Sequence, residues 1–206
     1  MLYHQTVSPK LLEILTALMN NPYFGEFYLV GGTSLALQIG HRESIDIDLF
    51  GCAELEELEV SDFLSSLGKV QILKKSKNIL IYTVDGIKVD LVNYRYPWLY
   101  PSLNLENLRL ADQRDIAAMK LNAISGRGSK KDFIDLYFLL NKYSLYEMIG
   151  FYNKKFSDGS EFLVLKSLTY FDDADLDQTP KMHIPIDWDE IKLSVEKEVR
   201  NYMNYI

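Results

Sequence analysis

The sequence predicts an α+β protein, with a small mixed or antiparallel sheet and flanking helices first and a helical domain second. Period-two alternation of apolar residues is concentrated between residues 26 and 93, which is the signature of half-buried strands. From about residue 106 the apolar spacing lengthens to the three-and-four pattern of amphipathic helices. Hydrophobic residues make up 48% and charged residues 25%, a balance that argues for a packed core and against disorder. Two domains follow, an α/β domain over residues 1–105 and a helical domain over 106–206.

Each element has a local reason. Ser8-Pro9 ahead of LLEILTALMN reads as an N-cap, a proline in the first turn and an amphipathic helix, broken by NPYFG. EFYLV, residues 26–30, is a short aromatic and β-branched strand that runs into Gly31-Gly32. TSLALQIG then starts a second helix, with Thr33 or Ser34 near its cap. In SIDIDLF the alternation sets Asp46 and Asp48 on one face and Ile45, Ile47 and Leu49 on the other. AELEELEVSDFLSSLG reads as an acidic helix, and VQILKKSKNILIYTVDGIKVDLVNY as two or three strands with a tight turn at Asp85-Gly86. In the last of these, Val89 and Leu91 bracket Asp90. ADQRDIAAMKLNAIS is helical, GRGSK interrupts it, and KDFIDLYFLLNKY resumes. Two more helices are expected around Asp158-Gly159, then an acidic, proline-bearing loop at FDDADLDQTPKMHIP and a closing helix capped by Asp187.

The net charge of −7 excludes a global basic footprint for gripping long nucleic acid, although Lys74, Lys75 and Lys77 form a local basic hairpin. That hairpin is read either as a solvated face or as a contact for an anionic partner, and the acidic run Glu54 to Glu59 as a solvated face. No apolar run reaches the ~20 residues that span a bilayer, and the N-terminus lacks a signal-peptide layout, so no membrane association and a cytoplasmic protein are expected. The single Cys52 forms no intrachain disulfide and reads as a small, partly buried residue. His4 and His183 read as incidental.

One stretch stands apart. In GGTSLALQIGHRESIDIDLF, thirteen residues separate Gly31-Gly32 from Asp46-Ile47-Asp48. Two aspartates on one strand face, joined by a third from a neighbouring strand, repel unless a cation sits between them. Oxygen ligands of that kind suit Mg²⁺, with Mn²⁺ as an alternative. A glycine turn entering a helix offers backbone N–H groups to phosphate, to which the Thr33 or Ser34 hydroxyl can add. Metal on one side and a phosphate cradle on the other describe a nucleoside triphosphate held for displacement at phosphorus. Taken singly, each feature has a plainer reading: Gly31-Gly32 as a tight connection, and Asp46, Asp48 and Asp90 as a wet strand face. The pairs Asp173/Asp175, Asp175/Asp177 and Asp187/Asp189 have no glycine turn before them.

The combination of Gly-Gly, a spaced Asp-x-Asp and an apolar-Asp-apolar strand resembles the polymerase-beta-like nucleotidyltransferase superfamily. The fuller string is similar to the AbiEii/AbiGii nucleotidyltransferase-like toxin family. The resemblance implies that Asp46 and Asp48 hold metal, and that Asp90 completes the site and helps the acceptor hydroxyl lose its proton. DIAAMKLNAISGRGSKKDFIDLYFLL resembles the later family motifs, which implies Lys120 and Arg127 as charges for the triphosphate and Asp132 and Asp135 as residues orienting it, with the helical domain contributing to the nucleotide cleft. On a helical wheel, Lys120 shares a face with Ile116, Ala123 and Ile124, and Asp132 and Asp135 share one with Leu136, Leu139 and Leu140. A charge on an apolar stripe must be paired. A salt bridge pinning two helices is therefore the structural alternative for Lys120. His41 and Arg42 belong to the same string, with Arg42 either touching phosphate or fixing the loop.

The resemblance implies an enzyme that transfers a nucleoside monophosphate from a triphosphate to an acceptor hydroxyl, and a toxin with a cognate antitoxin encoded nearby. It implies RNA, in some members the 3′ end of tRNA, as the acceptor. Two other readings stay open: modification of a small molecule or protein by the same chemistry, and a nucleotide-binding module without turnover.

Overall fold

The structure, a computed structural model, describes residues 1–205 and divides into two compact units. The sheet unit comprises Met1–Arg95 and Ser102–Ala111; the helical unit comprises Tyr96–Pro101 and the chain from Asp112 onward. The boundary expected between residues 105 and 106 falls at the turn of a hairpin within the sheet unit.

In the sheet unit, helix α1 (Pro9–Asn20) starts where the side chain of Ser8 accepts a hydrogen bond from Leu11 N at 3.1 Å, with Pro9 in the first turn. It leads to β1 (Phe27–Leu29), α2 (Gly31–Ile39), β2 (Ile47–Gly51), α3 (Glu57–Ser65), β3 (Val70–Ser76), β4 (Ile79–Val84) and β5 (Ile87–Asn93). The β4–β5 turn carries Asp85 at φ +49° and Gly86 at φ +84°, both left-handed, as a two-residue hairpin requires. The sheet is completed by β6 (Leu103–Leu105) and β7 (Leu108–Leu110), where the sequence reading expects helix from residue 106. The alternation LNLENLRL and the left-handed Glu106 and Asn107 account for that hairpin, which period-two counting can recover.

The seven strands run in the order β3-β4-β5-β2-β1-β7-β6. Pairs β2–β5 and β1–β7 are parallel and the rest antiparallel, so the sheet is mixed. Its buried face carries Ile47, Leu49, Leu80, Tyr82, Val89 and Leu91, packed with Leu11, Leu15 and Leu18 of α1 and Val60 and Leu64 of α3. Strand β3 is an edge whose residues are nearly all exposed.

The helical unit contains α4 (Gln113–Gly126), α5 (Lys130–Leu140), α6 (Leu145–Lys155), α7 (Glu161–Ser167), α8 (Asp172–Asp175) and α9 (Trp188–Tyr205). The short α8 occupies part of the expected acidic loop. No helix among the described residues is long and apolar enough to cross a membrane. Residues 96–101 are stitched into this unit by buried charge. Asp115 accepts hydrogen bonds from Leu99 N and Tyr100 N, each at 3.1 Å, and Lys155 Nζ donates to Asp115 Oδ1 at 2.6 Å and to Pro97 O at 2.7 Å. Both charged side chains are fully buried, and burial pushes the Lys155 ammonium pKa down despite its partner. Removing one partner of a buried pair leaves an uncompensated charge. We expect Lys155→Met to cost about 3 kcal/mol in urea unfolding. Asp115→Leu should cost more, because it also strands two backbone N–H groups.

Candidate active site

The aspartates are placed by strand pairing. Parallel strands β2 and β5 put Ile47 against Val89, Asp48 against Asp90 and Leu49 against Leu91. Since the leucines, Ile47 and Val89 are buried, alternation turns Asp48 and Asp90 together to the opposite face. Asp46 immediately precedes β2 and is half-buried. Lys88 Nζ lies 2.5 Å from Asp90 Oδ2, whereas Asp90 Oδ1 is buried and has no hydrogen-bond partner.

The glycine turn closes on Asp48. Gly31 has φ +66°, and a Cβ added to it would lie 2.5 Å from Asp48 Oδ2. Only a residue without a side chain lets the turn approach the carboxylate so closely. Val30 N donates to Asp48 O at 2.9 Å, fixing the turn to β2. Helix α2 begins at Gly31 with Val30 as N-cap, two residues before the start expected at Thr33 or Ser34. Those two residues are fully buried instead. The Thr33 hydroxyl donates to the Asp46 carbonyl and stands 2.8 Å from Ser44 Oγ, so it ties the helix to the segment leading into β2. Ser34 Oγ accepts from Gln38 Nε2 at 3.1 Å. Arg42 is 3% exposed; one guanidinium nitrogen donates to Glu43 O at 2.8 Å and another packs where a Cβ on Gly32 would sit. The N–H groups of Gly31, Gly32 and Thr33, in the first turn of α2, have no carbonyl within the helix to bond.

The residues suit a hard divalent cation. Among the described residues no group of three or more His, Cys, Asp or Glu side chains is gathered closely enough to hold a metal by itself. Mg²⁺ commonly takes only one or two protein carboxylates, with water and substrate phosphates as the other ligands. Asp48 and Asp90, adjacent in register and with one buried oxygen left open, form a donor set of that kind.

In the helical unit, Lys120 on α4 donates to Asp132 Oδ1 at 2.9 Å and lies 2.6 Å from Asp135 Oδ2, both on α5. The lysine side chain is 5% exposed and the two aspartates are fully buried, so the helix-pinning salt bridge is present. Asp132 also accepts from Arg127 Nε at 2.9 Å and Ser129 Oγ at 2.6 Å. Arg127 stays 62% exposed while it does so. Burial pushes the Asp132 carboxyl up, but Lys120, Arg127 and Ser129 outweigh burial and hold it well below the usual carboxylate range.

Residues 13–201 match the family described as nucleotidyl transferase AbiEii toxin, type IV TA system. The chain belongs to the AbiEii family. An uncharacterized protein of Aquifex aeolicus is 36% identical over 199 residues, spanning 93% of this chain and 95% of that one. Among solved structures, MenT4, a nucleotidyltransferase toxin of Mycobacterium tuberculosis, superposes with a TM-score of 0.62 at 14% identity over 92% of this chain and 81% of its own. JHP933 of Helicobacter pylori gives 0.59 at 20% identity over 93% and 88%. At these identities the structural likeness is one of fold. Family and fold together make this AbiEii member a nucleotidyltransferase.

Two polar residues of this AbiEii chain that sequence reasoning passed over are Lys88 and Ser44. Lys88 had a signal, since a residue two before Asp90 on a strand shares its face. Ser44 had none, because its bond to Thr33 depends on the loop's tertiary path.

Gly31→Ala should lose about 1–2 kcal/mol, from left-handed backbone strain and the Asp48 contact. Its nucleotidyl transfer should fall at least ~10-fold as Asp48 is displaced. Thermal unfolding and initial rates measure the two effects. For Lys120→Met the sign with pH is specific. In the native chain the depressed Asp132 carboxyl contributes stability that is present above its unfolded pKa, near 4, and is lost as pH falls through the folded value. Without Lys120 the burial of the Asp132 carboxyl is less compensated, so it is protonated more readily as pH falls and the cost of the uncompensated charge shrinks. Urea unfolding should therefore show a cost of about 3–5 kcal/mol near pH 7 and a smaller one near pH 5.

Proposed function

We propose that this nucleotidyltransferase moves a nucleoside monophosphate from a nucleoside triphosphate to an acceptor hydroxyl, in a Mg²⁺-dependent reaction at the Asp46, Asp48 and Asp90 face. The observation that carries the reading is the register pair Asp48–Asp90, with Asp90 Oδ1 buried and unpartnered and the Gly31 turn against Asp48. Bound there, Mg²⁺ supplies positive charge to the triphosphate oxygens and to the departing pyrophosphate. Asp48 and Asp90 hold the ion, and Asp46 stands at the entry to the same strand. The first turn of α2 receives phosphate oxygens on its N–H groups. The acceptor oxygen attacks the α-phosphorus, its proton passes to Asp90, and the bond to the β-phosphate oxygen breaks to release pyrophosphate. Within the helical unit, Arg127, exposed just beyond α4 and bonded to Asp132, carries a planar guanidinium of the kind that binds phosphate.

The family description supports a toxin of a type IV system, and with it an antitoxin partner; our reading is that the toxin works in the cytoplasm and that its antitoxin is encoded nearby. RNA, including the 3′ end of tRNA, is the proposed acceptor. The exposed Lys74 on β3 and Lys77 beyond it give local positive charge to a chain of net −7, as contact with phosphates requires, while Lys75 between them is ion-paired with Glu57.

The test supplies Mg²⁺ and each of the four labelled triphosphates with total RNA. Label should enter RNA, and Asp48→Asn and Asp90→Asn should lower its incorporation at least ~100-fold with unfolding midpoints little changed. Label in protein or in a small molecule would replace the acceptor. Binding of nucleotide without transfer by the native chain would remove the catalytic reading.

A further inference from the structure

Asp90 has a neighbour that the reaction above does not use. Lys88 lies two residues earlier on β5 and so on the same face, its Nζ 2.5 Å from Asp90 Oδ2. The lysine side chain is 38% exposed and that of Asp90 17%. On β2, Asp48 is paired with Asp90, and the same register extended two residues back, one beyond the paired residues, sets Asp46 opposite Lys88. On β4, Thr83 faces Lys88 and Ile81 faces Asp90. Of these six positions Lys88 alone is cationic and three are carboxylates; the next guanidinium, that of Arg42, packs against Gly32.

We propose that Lys88 is a resident counter-cation for Asp90, which holds the carboxylate in place before the divalent ion arrives and yields Oδ2 to it. The proposal rests on the reading that Asp48 and Asp90 bind a divalent cation. An ammonium on a flexible stem with a part-exposed head can leave a carboxylate oxygen for solvent at little cost. While it remains near, its charge repels an incoming dication. Lys88 therefore keeps the affinity for the free ion low. The triphosphate, which brings several negative charges, offsets Lys88 and tightens the ion, so that metal is held firmly only when nucleotide is present. Lys88 is thus a positioning residue that couples the metal to the substrate.

The experiment measures Mn²⁺ alone, by the electron paramagnetic resonance signal of the free ion, with the full chain and no nucleotide. Removing one charge about 5 Å from a dication at a part-exposed site should tighten binding on the order of ten-fold at moderate salt. Lys88→Met should show that gain, Lys88→Arg should bind within about two-fold of the native chain because the charge is kept, and Asp90→Asn should weaken binding. Should Lys88→Met unfold, Lys88→Gln reads the same quantity. Binding by Lys88→Met that equals or falls below that of the native chain overturns the proposal and leaves the metal site standing. Failure of both to bind Mn²⁺ overturns the metal reading and the proposal with it.

Discussion

The parallel pairing of β2 with β5 brings two like charges, Asp48 and Asp90, side by side on one face of the sheet, and the rest of the unit is arranged around that cost. Like charges directly opposite each other destabilise a sheet. The register that imposes them is fixed from the other face, where Ile47, Leu49, Val89 and Leu91 are wholly buried. A slip of one residue would drive the aspartates into the core and these four side chains into water. Burial of apolar surface thus holds the carboxylates together against their repulsion, at roughly 1.5–3 kcal/mol for each large side chain removed from water.

The two units treat buried charge differently. In the helical unit Lys120 meets Asp132 and Asp135, Arg127 and Ser129 complete Asp132, and Lys155 meets Asp115, which also serves two backbone N–H groups. Every contact within that network pairs opposite charges or bonds a donor to an acceptor, and such a network specifies how helices meet. The sheet unit is the opposite case. It has a carboxylate pair in register, a single ammonium on one oxygen and another oxygen buried without a donor. An unsatisfied buried oxygen costs about 1–3 kcal/mol. In the proposed reaction, a cation bound by Asp48 and Asp90 would offset that cost.

How legible this was in the sequence depends on the range of each interaction. The Ser8-Pro9 cap, the Asp85-Gly86 turn and the alternation in β2 and β5 are local, and the structure has them all. The wheel argument offers, as an alternative to a phosphate role, a salt bridge from Lys120 to one of Asp132 and Asp135, because an ammonium on an apolar stripe must find an anion nearby, and the structure has Lys120 against both. The start of α2 differs from expectation: a threonine after two glycines looks like a cap, and only the tertiary bond from Thr33 to the Asp46 carbonyl shows it inside the helix. The β6–β7 hairpin is hard to see in the sequence because its strands are three residues each, too short to stand out from the helical periodicity that follows. Gly32 illustrates the remaining limit, since the guanidinium that requires its lack of a side chain is ten residues away in sequence.

The β6–β7 hairpin matters to the site. Strand β1 is only three residues long and would be marginal alone, yet the glycine turn hangs from its end. Strand β7 pairs with β1 in parallel through Leu29 and Leu110, and Ala111 N donates to Leu29 O at 2.9 Å, so β1 is an interior strand. Arg109 of β7 adds three bonds from one guanidinium, to Phe27 O at 3.1 Å, Met19 O at 2.8 Å and Phe24 O at 2.9 Å. These gather the end of α1, the turn before β1 and β1 itself on a single planar fork, which a lysine could not do. The turn at Gly31 is therefore gripped from both sides, by Asp48 of β2 through Val30 and by β7 through Leu29. Holding the Gly31 turn so close to the Asp48 carboxylate needs that rigidity, and a loop between exposed strands would not supply it.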